Sequence, residues 1–174
     1  MESWQPSKRG AREAASRRRF LVAIAGAVIA GTAVGAAMLF KSMAGEAAQP
    51  INTIGSDGIA IRGYDPVAYF RDGGPRAGKE EHSLRHAGVT WRFASAENKA
   101  AFAADPDRFT PAYGGYCAYG VAKGGLYKIE PDAWSIRDGR LYLNYDRSVQ
   151  AAWAKQPGHF IATADRKWPA LVKK

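Results

Sequence analysis

The sequence predicts an α+β fold, a small antiparallel sheet of hairpins covered by short helices. Three observations carry this. Two strand-like stretches turn back on two-residue loops, Ala87-Gly88 and Asp138-Gly139. Residues suited to capping helices stand at Asp65, Ser95, Asp105 and Asp146, and two of them precede proline, which lacks the amide a first-turn residue leaves unpaired. The signals follow in the order helix, hairpin, helix, hairpin, helix, helix. No internal repeat is evident in the residues themselves.

The chain has 174 residues, enough for one domain and an appendage. Residues 1–44 carry seven basic and two acidic side chains, so much of the net charge of +9 belongs to the N-terminus. Basic helix faces and zinc-finger spacings are lacking, and no nucleic-acid partner is expected. Ser16-Arg17-Arg18-Arg19-Phe20-Leu21 precedes an apolar run from Leu21 to Phe40. This resembles a twin-arginine export signal, with Val22 where lysine is common. Ser42-Met43-Ala44 offers a cleavage site, but a run of this length also suffices as an uncleaved inner-membrane anchor. Both routes imply a periplasmic domain, with membrane contact only through residues 1–44 if they are retained. Residues 45–58 read as a linker and 59–174 as a single folded domain.

Within that domain, Ile59 to Arg62 reads as a short strand, and Asp65-Pro66 starts a helix of one or two turns ending before Asp72-Gly73-Gly74-Pro75. The first hairpin pairs His86 with Val89 and Leu84 with Trp91. Alternation then puts His82, Leu84 and His86 on the face of Val89, Trp91 and Phe93. Ser95 caps a helix from Ala96 to about Ala104, and Asp105-Pro106 begins a turn through Phe109. The glycine- and tyrosine-rich stretch Tyr113 to Gly120 follows as a loop holding Cys117, the only cysteine. Leu126 to Ile129 reads as a strand. The second hairpin joins Ala133–Arg137 to Arg140–Asn144, with Trp134, Ile136, Leu141 and Leu143 toward the core. Asp146 caps a helix to Lys155, Gln156-Pro157-Gly158 breaks it, and a last helix spans His159 to Trp168 before Pro169.

Gly63-Tyr64-Asp65-Pro66-Val67-Ala68-Tyr69-Phe70, Trp91-Arg92-Phe93-Ala94-Ser95-Ala96-Glu97-Asn98-Lys99 and Tyr113-Gly114-Gly115-Tyr116-Cys117-Ala118 together resemble exported YHS-domain proteins, a group that includes selenoproteins. The similarity covers roughly residues 59–170. Short YHS domains accompany metal-handling proteins and carry cysteines where this chain has Ala68, Ala94 and Asn98. The resemblance therefore leaves Cys117 as the one thiol, in a segment the short domains lack.

Three functions remain open. Cys117 with His86 and His82 is a candidate metal site, because a thiolate with imidazoles suits copper or zinc. Cys117 is alternatively a redox thiol, the one candidate for catalysis, activated by cations such as Arg108, Lys123 or Arg92. The third function is a non-catalytic ligand- or partner-binding module with a structural cysteine, in which tyrosines of the glycine segment form the recognition surface. The histidines have their own alternative reading, one as a hydrogen-bonded core residue and the other at a strand end. Phosphate-binding loops, Ser-His-acid arrangements and paired carboxylates are lacking, which argues against a hydrolase or a nucleotide enzyme. The capping aspartates are assigned no chemistry.

Overall fold

The structure, a computed structural model, describes residues 50–173. The segment expected to be an export signal or anchor and the first part of the expected linker lie outside the described residues. Six helices and two separate two-stranded antiparallel ribbons make up an α+β domain. In order they are α1 (Ala68–Arg71), β1 (Lys79–His86), β2 (Val89–Phe93), α2 (Ala96–Ala104), α3 (Pro106–Phe109), α4 (Ala118–Lys123), β3 (Glu130–Arg137), β4 (Arg140–Asn144), α5 (Arg147–Ala154) and α6 (Pro157–Leu171). Among the described residues no helix is long and apolar enough to cross a membrane.

Both hairpins adopt the expected register, including Leu84 opposite Trp91 and Ile136 opposite Leu141. Their loops place Ala87-Gly88 and Asp138-Gly139 at positive φ, as the right-handed twist of the strands demands. Asp65, Ser95, Asp105 and Asp146 all cap helix starts, each side-chain oxygen accepting a backbone N–H two or three residues on.

The two halves of the domain repeat one architecture, which corrects the reading that no repeat exists. β3 and β4 begin and end 51 residues after β1 and β2, from Lys79–His86 to Glu130–Arg137 and from Val89–Phe93 to Arg140–Asn144. The irregularity in pairing recurs at the same step, between Lys79 and Ser83 and again between Glu130 and Trp134. Ser95 and Asp146 cap the following helices, and Phe102 and Trp153 are their fully buried anchors. Upstream, Ile61-Arg62-Gly63 and Tyr113-Gly114-Gly115 both run through positive φ before a tyrosine in extended conformation. The repeat escapes the sequence because, apart from the shared Gly63-Tyr64 and Gly115-Tyr116, these conformations are met mostly by different side chains.

Other expectations give way for identifiable reasons. Residues Ile59–Arg62 form no strand. Ile59 makes one isolated bridge to Thr90, and positive φ at Ile61 and Arg62 turns the chain instead. The C-terminal part of the presumed linker belongs to the fold: Ile51 and Asn52 are buried, and Asn52 Nδ2 donates to the Gly115 carbonyl at 3.0 Å. Leu126–Ile129 is not a strand, because β3 begins only at Glu130. The expected break falls at Lys155 and Gln156, so Pro157 already starts α6, where its missing amide costs nothing, and α6 continues past Pro169 to Leu171.

Trp91, Phe93, Phe102 and Tyr69 join Leu141 and Leu143 in one apolar cluster, so the halves share a core. Tyr142 packs on the opposite face of β4 against Trp153 and Ala164, so β4 is buried on both faces rather than one.

At the centre of the first half lies Asp65, fully buried. Its carboxylate accepts from the amides of Val67 at 2.8 Å and Ala68 at 3.3 Å, from the Ala94 amide at 2.8 Å and from Asn98 Nδ2 at 2.7 Å. Asp65→Ala leaves four donors without an acceptor and is expected to lower the unfolding free energy by about 3 kcal/mol or more. Urea unfolding checks this, and a loss under about 1 kcal/mol would contradict the role given to the carboxylate.

Candidate functional site

The stretch around Cys117 is not a loop. It holds the positive-φ turn of Ala112–Gly115 and then α4, with Cys117 as the N-cap of α4 and Gly124 ending it in the left-handed conformation at φ 93°. The Lys123-Gly124 pair is the signal that could have marked this helix end. Weak helix formers inside α4, with a thiol in place of a usual capping oxygen, hide its start.

Cys117 is 2% exposed. Its Sγ accepts the Gly120 N–H at 3.3 Å, and its S–H points to Asn144 Oδ1 at 3.9 Å. Asn144 Oδ1 also accepts from the Tyr119 amide at 3.3 Å, while its buried Nδ2 has no hydrogen-bond partner among the described residues. Burial pushes the thiol pKa up and Asp146 adds to this, against the amides of Gly120, Tyr145 and Tyr119. The protonated thiol therefore suits both of its hydrogen bonds.

A cleft of about 380 Å3 opens over this thiol, walled by Tyr119, Tyr127, Tyr145, Lys123 and Val149. Tyr127 and Tyr145 are 50% and 38% exposed. The Tyr127 ring lies so close to α4 that a Cβ on Gly120 would sit 2.4 Å from Cδ2, which is why that helix position is glycine. Lys123 Nζ lies 5.2 Å from the centroid of Tyr119 and 5.8 Å from that of Phe160. Sequence reasoning missed Tyr127 and Tyr145 because neither belongs to the glycine segment. Within that segment Tyr113 is buried, its hydroxyl donating to Asp165 Oδ1 at 2.9 Å, so it offers no exposed surface.

The other candidate residues lie elsewhere. His86 meets the Phe102 ring edge-on at 5.6 Å, and its carbonyl accepts the Trp91 indole N–H at 3.2 Å. His82 is half-buried, with Nε2 3.8 Å from Glu81 Oε1. Among the described residues no group of three or more His, Cys, Asp and Glu is placed to hold a metal ion, so Cys117, His86 and His82 are not brought together as a three-ligand centre. Arg92 faces Glu80 at 3.7 Å, and Arg108 lines a different cleft with Tyr113 and Arg140. Of the three cations considered for activating the thiol, only Lys123 shares its cleft. Ala68, Ala94 and Asn98 converge on the Asp65 carboxylate.

Fold and site together define a duplicated α+β domain with a capping thiol beneath a tyrosine-walled cleft. No family model, curated protein or solved structure matches the chain.

A raised thiol pKa means that the folded state holds the proton more tightly than the unfolded one. That contribution to stability is fully present below the ordinary thiol value of about 8.5 and falls as pH rises beyond it. Cys117→Ser keeps a capping oxygen and is expected to flatten the fall in melting temperature between about pH 8.5 and 10, the window below ordinary tyrosine ionisation. Thermal unfolding of both proteins across that range checks it.

Proposed function

We propose that this is an exported, non-catalytic binding module of YHS type, in which Cys117 is a structural capping thiol and the tyrosine-walled cleft above it takes the ligand. One observation carries the reading. Cys117 Sγ is held between the Gly120 amide and the Asn144 carbonyl oxygen at 2% exposure, with its pKa raised rather than lowered. A reactive thiol needs thiolate character and access, and both are reduced here. A cleft of this size, apolar and aromatic with one cation, falls at the lower end of the roughly 300–1,000 Å3 typical of small-molecule sites. Support for export comes from the arginine-rich N-terminus and the apolar run behind it.

Iodoacetamide labelling of the folded protein tests the thiol. Labelling at pH 8 is expected to be at least about tenfold slower than in urea, with its pH midpoint above the ordinary value of about 8.5. Fast labelling with a midpoint below that value would favour the redox reading. Stoichiometric copper or zinc in the purified protein, lost in Cys117→Ser, would favour the metal reading. Cell fractionation of the tagged full chain tests export, and cytoplasmic retention would overturn it.

A further inference from the structure

The repeat puts the cleft in a position whose counterpart in the first half is filled. Asp65 and Cys117 occupy the same place: each caps the short helix after its positive-φ turn, and each donates its own amide across to a carbonyl, Asp65 to Arg76 at 2.9 Å and Cys117 to Tyr127 at 3.3 Å. The amide of Ala94 bonds the Asp65 carboxylate, and the amide of Tyr145, 51 residues on, favours the ionised form of the Cys117 thiol.

In the first half a side-chain network closes over the cap. Arg71 Nη1 donates to Asn98 Oδ1 at 3.2 Å, and Asn98 Nδ2 donates to Asp65. The equivalent residues in the second half are Lys123, Val149 and Cys117, and all three line the cleft. Valine has no side-chain amide to bridge cap and cation, so the network is absent. The amide that serves this cap is Asn144, on β4, at the place of fully buried Phe93. Its polarity suits the change, since a carboxylate needs a donor whereas a protonated thiol needs an acceptor. The second half has thus exchanged a closed polar lock for an open cleft and kept the cation at its wall.

We infer that this cleft is a binding site for a single-ring aromatic carboxylate, its ring among Tyr119, Tyr127 and Tyr145 and its carboxylate on Lys123 Nζ. The inference rests on the reading of Cys117 as a structural thiol and adds the chemistry of the ligand. Tyrosine rings accept an aromatic ring edge-on or offset. A cage of tyrosines alone would equally suit an organic cation, but Lys123 in the wall opposes one. Lys123 makes no ion pair among the described residues, so its charge is available to an anion, whereas Lys128 nearby is engaged with Glu130 at 3.4 Å.

The test uses the purified protein in 15N-detected titrations with benzoate, benzyl alcohol and benzyltrimethylammonium. Benzoate is expected to give saturable shifts at the amides of Gly120, Lys123, Tyr145 and Val149, with the alcohol at least tenfold weaker and the cation weaker still. Lys123→Met is expected to weaken benzoate at least tenfold and leave the alcohol unchanged. Val149→Asn, which restores the residue of the first half, and Val149→Trp, which fills the space, are each expected to reduce all binding. Should one of the Val149 variants fail to fold, the other and Tyr127→Ala carry the test. No saturable shift at these amides, tighter binding of the cation, or full benzoate affinity in Lys123→Met would overturn the inference. If the thiol still labels slowly in that event, the structural reading of Cys117 survives without it; fast labelling removes that reading whatever benzoate does.

Discussion

The arrangement of the first half depends on one buried carboxylate. Asp65 is taken out of water entirely, and a buried acceptor of this strength is tolerable only where donors surround it. The donors come from three directions: the first turn of α1, the residue just past β2, and the side chain of Asn98 on α2. Hairpin, short helix and long helix are thereby held at one point, with no freedom to slide against one another. Apolar packing of Trp91, Phe93 and Phe102 then fills the space so defined.

The second half solves the same geometric problem with weaker chemistry. Sulfur accepts and donates hydrogen bonds poorly, and the distances of 3.3 and 3.9 Å around Cys117 reflect its size and softness. More of the work of holding this half falls to aromatic contacts. Tyr142 lies 5.3 Å from Trp153, and Tyr113 lies 5.7 Å from Trp168, between β4, α5 and α6. The long α6, which has only the short α3 as its counterpart, supplies this additional cover.

Much of the fold was legible because its signals are local. Asp65, Ser95, Asp105 and Asp146 announce helix starts through chemistry that acts within three residues, and Ala87-Gly88 and Asp138-Gly139 announce turns in the same way. The duplication was hidden because it resides mostly in backbone conformation: Ile61-Arg62-Gly63 and Tyr113-Gly114-Gly115 adopt one path while sharing only the last glycine and the tyrosine after it. The site was half legible. Cys117 stood out by scarcity, but alternation along a strand could not show that His86 turns to Phe102, nor that Tyr127 and Tyr145 close around the thiol from separate loops. Those are tertiary facts with no local signal.

Asn52 carries a consequence of a different kind. Its backbone amide donates to the Gly114 carbonyl and its side chain to that of Gly115, while its own carbonyl accepts the Ile61 amide. It therefore clasps the two equivalent turns, one from each half, across their seam. Gly114 is glycine partly because a Cβ there would fall 2.0 Å from the Pro50 carbonyl oxygen. For anyone trimming this protein for study, Ile51 and Asn52 have to be kept with the folded part. A cut placed at the first predicted element, near Ile59, would remove the clasp, leaving the carbonyls of Gly114 and Gly115 unpaired in one turn and the amide of Ile61 unpaired in the other.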